Sequence, residues 1–356
     1  MFALLSYQNV CHSGLLILKL MGQQWHLIKG MIASILYYSG VLHLIKHYKL
    51  SNSCVVLTYH RVLDDKHLKI SNSNPSIIVD LDLFDEQIKF LKANFSILSL
   101  SDLQQGIYSE RFVDGSCLIT FDDGWVDNYT YAYPVLKKYN VPATIFLATD
   151  YIGSDKSFWQ EELTGIIKSS YHDKDREALE IIDLGNILEL STSDALIKAQ
   201  EKIQELKSLP DFELHDLIGR LKEIVVRHAD SLSVDKFLNW DQVKEMQADN
   251  ITFASHGCSH SIMTKISEDQ LQYELEESSA VIKSKTGIYS YALAYPNGNF
   301  DESMTRAVSA IYDLAFATES GPIHPGDNKY SLKRVNIHTG AADTKQLFFC
   351  KILGLF

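Results

Sequence analysis

From residue 54 onward the sequence alternates short, nearly continuous apolar runs with amphipathic segments, and few architectures accept that alternation. The runs CVVLTYH (54–60), CLITF (117–121), ATIFLAT (143–149), ITFASH (251–256), YALAYP (291–296), DLAFAT (313–318) and SLKRVNI (331–337) read as strands, with SILSL (96–100) a weaker eighth. Between them, 82–94 places Phe84, Ile88 and Leu91 at helical spacing. Further helical patterns cover 128–139, stopped by Asn140 and Pro142, 268–286, stopped by Gly287, then 301–311 and 343–353. Apolar strands separated by helices mean a parallel sheet covered on both faces, and seven or eight such units favour a closed barrel. The alternation breaks over 152–238, where ELTGIIKSSY, ALIKAQEKIQELKSL and ELHDLIGRLKEIVVRH are helical with no strand between them. This insertion follows a strand's C-terminal end. It therefore stands over the functional face as a lid or substrate wall, or forms a peripheral bundle.

With 356 residues, 46% of them hydrophobic, the chain has material for a large core. A net charge of -12 argues against nucleic acid as a partner, which would need clustered Lys and Arg. The five cysteines (Cys11, Cys54, Cys117, Cys258, Cys350) are odd in number and scattered, so no disulfide framework is expected. No basic region precedes the first apolar stretch, and Lys19 interrupts LLILKLM, so a cleaved export signal is not expected. The expected location is cytoplasmic or inner-membrane-associated, with an extracytoplasmic one as the alternative. The stretch 30–45 is apolar but shorter than the roughly 20 residues of a spanning helix. It reads as a helix buried on the domain or lying on a membrane surface, with Lys29, Lys46 and Lys49 flanking it. The expected organisation is an N-terminal helical extension over 1–50, a barrel with its insertion over 51–345, and the end of a helix over 346–356.

Two motifs carry chemistry. TFDDGW (120–125) sets Asp122 and Asp123 side by side at a strand's end, where successive side chains face opposite ways. An Asp-Gly turn explains the same letters without any chemistry. ITFASH leads into His256 and His260, which lie on one face if a helical turn begins at His256. Two His and one Asp at the C-terminal ends of strands suit a catalytic zinc site of three protein ligands and an open position. The remaining Asp is then free to take a proton from an activated water.

These residues resemble the polysaccharide deacetylase family, the NodB-homology or carbohydrate esterase family 4 domain. T-F-D-D-G is matched in full, and H-[ST]-x-x-H is matched at His256 and His260 with Gly257 replacing the usual hydroxyl residue. The neighbouring LTYHRV (57–62), YPVLKKYNVPATIFL (133–147), WDQVKEM (240–246) and AYPNG (294–298) agree. The resemblance implies an α/β fold, a distorted (β/α)7-type barrel, and removal of N- or O-acetyl groups from a polysaccharide or its lipid-linked precursor. It implies a divalent metal on Asp123, His256 and His260, zinc first, with cobalt or nickel also accepted by such donors. Asp122 becomes the general base.

The third family motif, R-x-P-Y, is altered. No Arg precedes Ala294-Tyr295-Pro296-Asn297, and Asn297 offers its backbone N–H to the oxyanion in place of Tyr. Arg334 is the candidate brace for Asp122 and His338 the candidate general acid. Trp125 is the candidate sugar platform, Tyr295 a wall or core residue, and His60 a further residue facing the site. Cys258 is not expected to bind the metal. The altered motif keeps open a non-catalytic carbohydrate binder, and the shared fold keeps open an amidohydrolase of small acylated metabolites.

Overall fold

The computed structural model describes residues 24–225 and 235–356. The readings made of Cys11, of the first 23 residues and of the helical pattern beyond residue 225 lie outside them.

The strands are β1 (Cys54–Tyr59), β2 (Arg61–Leu63), β3 (Ile78–Asp80), β4 (Ser96–Leu98), β5 (Ser116–Phe121), β6 (Ala143–Leu147), β7 (Ile251–Ser255), β8 (Ala292–Ala294), β9 (Leu314–Phe316), β10 (Pro322–Ile323) and β11 (Val335–Asn336). Neighbours run β1-β5-β6-β7-β8-β9 in parallel. Strands β1, β5 and β6 are buried at every residue, which is why their sequences show no polar alternation. The first half of β5 pairs with β4 and its second half with β6. β2 and β3 form a separate parallel pair.

The run 331–337 is a strand of only two residues because it divides its hydrogen bonds between two neighbours. Leu332 donates to Ala315 and accepts from Ala317, whereas Val335 and Asn336 pair with Leu57 and Thr58 of β1. This segment links β9 to β1 and curls the sheet round on itself.

The helix Leu81–Asn94 is capped by Asp80, whose carboxylate accepts from the N–H groups of Asp82 and Leu83, and it buries Phe84, Ile88 and Leu91 as the spacing predicts. The pattern over 128–139 opens with a turn of π-helix at Asn128–Ala132 before Tyr133–Tyr139 continues as α-helix. The insertion contains helices Trp159–Asp173, Arg176–Glu180, Thr192–Leu206 and Asp211–Val225 around an apolar cluster of their own that includes Leu163, Ile166, Ile203 and Leu221. Its Trp159, Glu161, Gln200 and Lys207 line the same cavity as Asp122 and His256, so the insertion forms a wall of that cavity.

At the N-terminal side, helices Gln24–Tyr38 and Val41–Lys49 meet at 85°. Ala33, Leu36, Tyr37 and Leu42 pack onto the main core, where the ring of Phe349 lies 6.4 Å from Tyr37 and 5.2 Å from His43. Among the described residues no single helix is long and apolar enough to cross a membrane.

Candidate active site

β5 ends at Phe121, and the next turn presents both carboxylates. Asp123 has φ 74° and Gly124 φ 83°, a left-handed pair that redirects the chain. A side chain at Gly124 would meet Leu147 Cδ2 at 2.7 Å, so this position requires glycine on conformation and space alike. Asp122 accepts two hydrogen bonds from the Arg334 guanidinium, at 2.7 and 2.8 Å, both groups being almost fully buried. Burial is the largest influence on Asp122 and opposes its ionisation, but the Arg334 charge together with His256 and His60 outweighs it and holds the carboxyl below its ordinary range. Asp123 accepts from Trp125 Nε1 through Oδ2 at 2.8 Å. Its Oδ1 is buried without a hydrogen-bond partner and lies 3.4 Å from His256 Nε2 and 3.3 Å from His260 Nε2.

His256 follows β7 directly, and its Nδ1 lies 2.7 Å from the Ala294 carbonyl, so that nitrogen donates and Nε2 is left to face Asp123. No helical turn begins at His256. Gly257 at φ 76° and His260 at φ 59° make a loop, and the two imidazole centroids come 5.1 Å apart within it. Glu274 holds this loop by accepting from the N–H groups of Cys258 and Ser259 and from the Ser259 hydroxyl. A side chain at 257 would meet Glu274 Oε2 at 2.8 Å, so this position favours glycine over the family's hydroxyl residue. His260 stacks on Phe158 of the insertion at 4.2 Å. Cys258 is buried and takes no part in the His-His-Asp cluster.

The donor atoms of Asp123, His256 and His260 all lie within 4.8 Å of one another. An orphaned carboxylate oxygen facing two imidazole nitrogens fits a divalent cation with nitrogen and oxygen preference.

These groups open onto a cavity of about 1050 Å³, which Asn297, Arg334 and His60 also line. His60 Nε2 stands 3.8 Å from Asp122 Oδ2, and burial keeps its pKa low despite the two nearby carboxylates. Asn297, at φ 59°, accepts from Lys207 Nζ at 3.0 Å, tying the insertion to the loop after β8.

Trp125 and His338 are placed differently from the sequence expectation, and Tyr295 takes one of the two places expected of it. Trp125 is 1% exposed, stacked on Phe237 at 4.3 Å with the Arg61 guanidinium 4.3 Å from its ring, so no face is left for a sugar. Tyr295 is fully buried, its hydroxyl donates to the Tyr330 carbonyl, and it belongs to the core rather than a substrate wall. His338 is absent from the cavity lining, which leaves the general-acid assignment without support from geometry.

Sequence reasoning missed the buried network behind the site. Arg61 binds Asp127 through Nε and Nη2, at 2.9 Å each, and also contacts Asp235. Ser73 bridges from Arg61 to Glu161, whose pKa burial pushes up to about 8. The Arg of LTYHRV and the Asp four residues after Asp123 were the available signals, but only folding brings them together.

The sequence matches the profile described as "Polysaccharide deacetylase" over residues 110–206 and 217–313, more than half of the chain. It is 23% identical over 224 residues to "Putative polysaccharide deacetylase YxkH" of Bacillus subtilis (strain 168), covering 63% of this chain and 52% of that one. The chain thus spans about half the length of that relative. Among solved structures, the fold is similar to Streptococcus pyogenes deacetylase PplD in complex with acetate, with TM-score 0.54 and 19% identity, covering 83% of this chain and 96% of that one. It is also similar to IcaB from Ammonifex degensii, with TM-score 0.55 and 16% identity, covering 86% and 97%. The chain belongs to the polysaccharide deacetylase family.

Proposed function

We propose that this chain is a metal-dependent deacetylase that removes acetyl groups, N-acetyl first, from a polysaccharide or its lipid-linked precursor. The observation that carries the reading is the adjacency of an arginine-clamped carboxylate, Asp122, and a second carboxylate, Asp123, whose bare oxygen faces two histidines. The acetate bound in the Streptococcus pyogenes relative matches the product this reaction would release.

Asp123, His256 and His260 would hold the cation, zinc first, with cobalt or nickel also suited. A divalent cation at this position supplies Lewis-acid polarisation of a carbonyl and lowers the pKa of water. Asp122, which Arg334 helps keep ionised, takes the proton from the attacking water. Asn297 offers its backbone N–H to the negative charge that develops on the acetyl oxygen. His60, which lines the same cavity beside Asp122, is the candidate to protonate the leaving amine. The Ala294 carbonyl fixes the His256 ring, and Trp125 fixes Asp123, so neither ligand has to reorganise.

Metal analysis of the purified protein together with acetate release from acetylated glucosamine oligomers tests this reading. Bound metal with acetate release supports it; neither metal nor acetate would leave a carbohydrate binder on a deacetylase fold. We also place the protein in the cytoplasm or at the inner membrane, a reading to which the four free, buried cysteines of the described chain belong. Recovery only from the periplasm or medium after fractionation would overturn that placement.

A further inference from the structure

The helix Gln24–Tyr38 is apolar on both sides. One side, with Ala33, Leu36 and Tyr37, packs onto the barrel core. The other presents Trp25, Leu27, Met31, Ile32, Ile35 and Tyr38 to solvent, with Met31 and Ile35 66% and 67% exposed. At roughly 100° per residue these positions fall within one half of the helix circumference, so they make a continuous stripe. Exposed Leu44 and Tyr48 extend it along Val41–Lys49. A stripe of this kind on a folded surface marks an interaction site.

Charge selects the partner. The first 50 residues hold Lys19, Lys29, Lys46 and Lys49 and no Asp or Glu, so all 45 acidic residues of this net-negative protein lie beyond them. Among the described residues, none of these lysines pairs with a carboxylate. Lys46 donates to the Asn94 carbonyl, Lys49 donates to the Leu353 carbonyl, and Lys29 lies over the rings of Trp25 and Phe356. A second copy docked through the same patch would bring together two segments that carry positive charge and no acid. The chain's own first 23 residues would cover the stripe with another segment that has no acid. A surface that is both apolar and anionic satisfies the stripe and Lys29 together.

We propose that the helices Gln24–Tyr38 and Val41–Lys49 lie on the surface of an anionic lipid bilayer, with the stripe in the acyl boundary and Lys29 at the headgroups, while Lys46 and Lys49 stay turned to barrel carbonyls. The bend after Tyr38 and the shortness of each helix favour lying on the bilayer over crossing it. Trp25, Tyr38 and Tyr48 are the residue types that prefer the headgroup level.

Flotation of the full-length chain with phosphatidylcholine vesicles, with and without phosphatidylglycerol, tests this. Binding is expected on the phosphatidylglycerol vesicles, weakened by added salt. The double substitution Met31→Glu with Ile35→Glu should reduce it roughly tenfold or more, with acetate release from soluble oligomers and the circular dichroism spectrum unchanged. Lys29→Gln, which leaves the stripe intact, should weaken binding to the anionic vesicles alone. Failure to float with anionic vesicles overturns the proposal, as does binding insensitive to the double substitution. A wild-type dimer in light scattering that the double substitution turns into a monomer overturns it in favour of a second copy.

Discussion

Arg334, on the segment that links β9 to β1, reaches both carboxylate oxygens of Asp122 at the end of β5. The family resemblance implies a brace from the Arg of the R-x-P-Y motif itself, which this chain lacks. Here the same charge arrives from a different strand, 212 residues away in sequence from the group it holds.

Arg334→Lys keeps a positive charge but loses the two-pronged geometry, and it leaves a buried carboxylate poorly paired. Stability should fall by up to about 3–5 kcal/mol in urea denaturation, the cost of breaking a buried pair. Acetate release should fall at least about a hundredfold with bound metal unchanged. Unchanged kcat would separate Arg334 from the work of Asp122.

Asp122→Asn should keep the metal and lose turnover by about 10²–10⁴-fold, the range of a positioned general base. Single-turnover acetate release alongside metal analysis measures both, and full activity on every wild-type substrate would remove Asp122 from the base role.

Trp125→Phe preserves the stack on Phe237 and removes the donor to Asp123 Oδ2. Metal affinity should drop about 10- to 100-fold, as it does when an outer-shell hydrogen bond is removed. Titration against a chelator measures it. A raised KM for oligomers with metal affinity intact would return Trp125 to the role of sugar platform.

Gly257→Ser restores the family's hydroxyl residue, yet it should destabilise the protein by about 1–3 kcal/mol, because φ is 76° and Glu274 occupies the space. Thermal and urea denaturation check this, and a neutral result would mean that the Glu274 clamp moves aside easily.

Glu161 gives the pH dependence. Burial raises its pKa in the folded protein to about 8, above the ordinary 4.5, so the folded state binds this proton more tightly than the unfolded chain. Its contribution to stability is therefore full below the unfolded value and is lost as pH rises through about 8. Glu161→Gln should flatten that decline, gaining on the wild type as pH rises. Parallel stability curves for the two proteins across this window would show that Glu161 titrates normally.

Most barrel strands were legible because parallel strands buried on both faces leave unbroken apolar runs, as in ATIFLAT and ITFASH. The run 331–337 was harder, since its two-residue ladder depends on having different partners at its two ends. The His256–His260 spacing was legible as a pair but not as a loop, because Gly257 takes its conformation from Glu274, 17 residues downstream. Trp125 could not be told apart from a sugar platform by sequence, since its burial comes from Phe158 and Phe237 at the two ends of the insertion. The network of Arg61, Asp127, Asp235 and Glu161 joins four distant segments and leaves no local pattern to read.

The split of 331–337 between two neighbours places Arg334 on the seam of the barrel, between the residue that bonds to β9 and those that bond to β1. The charge that helps keep Asp122 ionised is thus fastened to a short join in the sheet. Local opening at that join would switch off the base while the rest of the fold stayed intact, so turnover should fail on heating before global unfolding is seen, and catalysis itself would report whether the ring is shut.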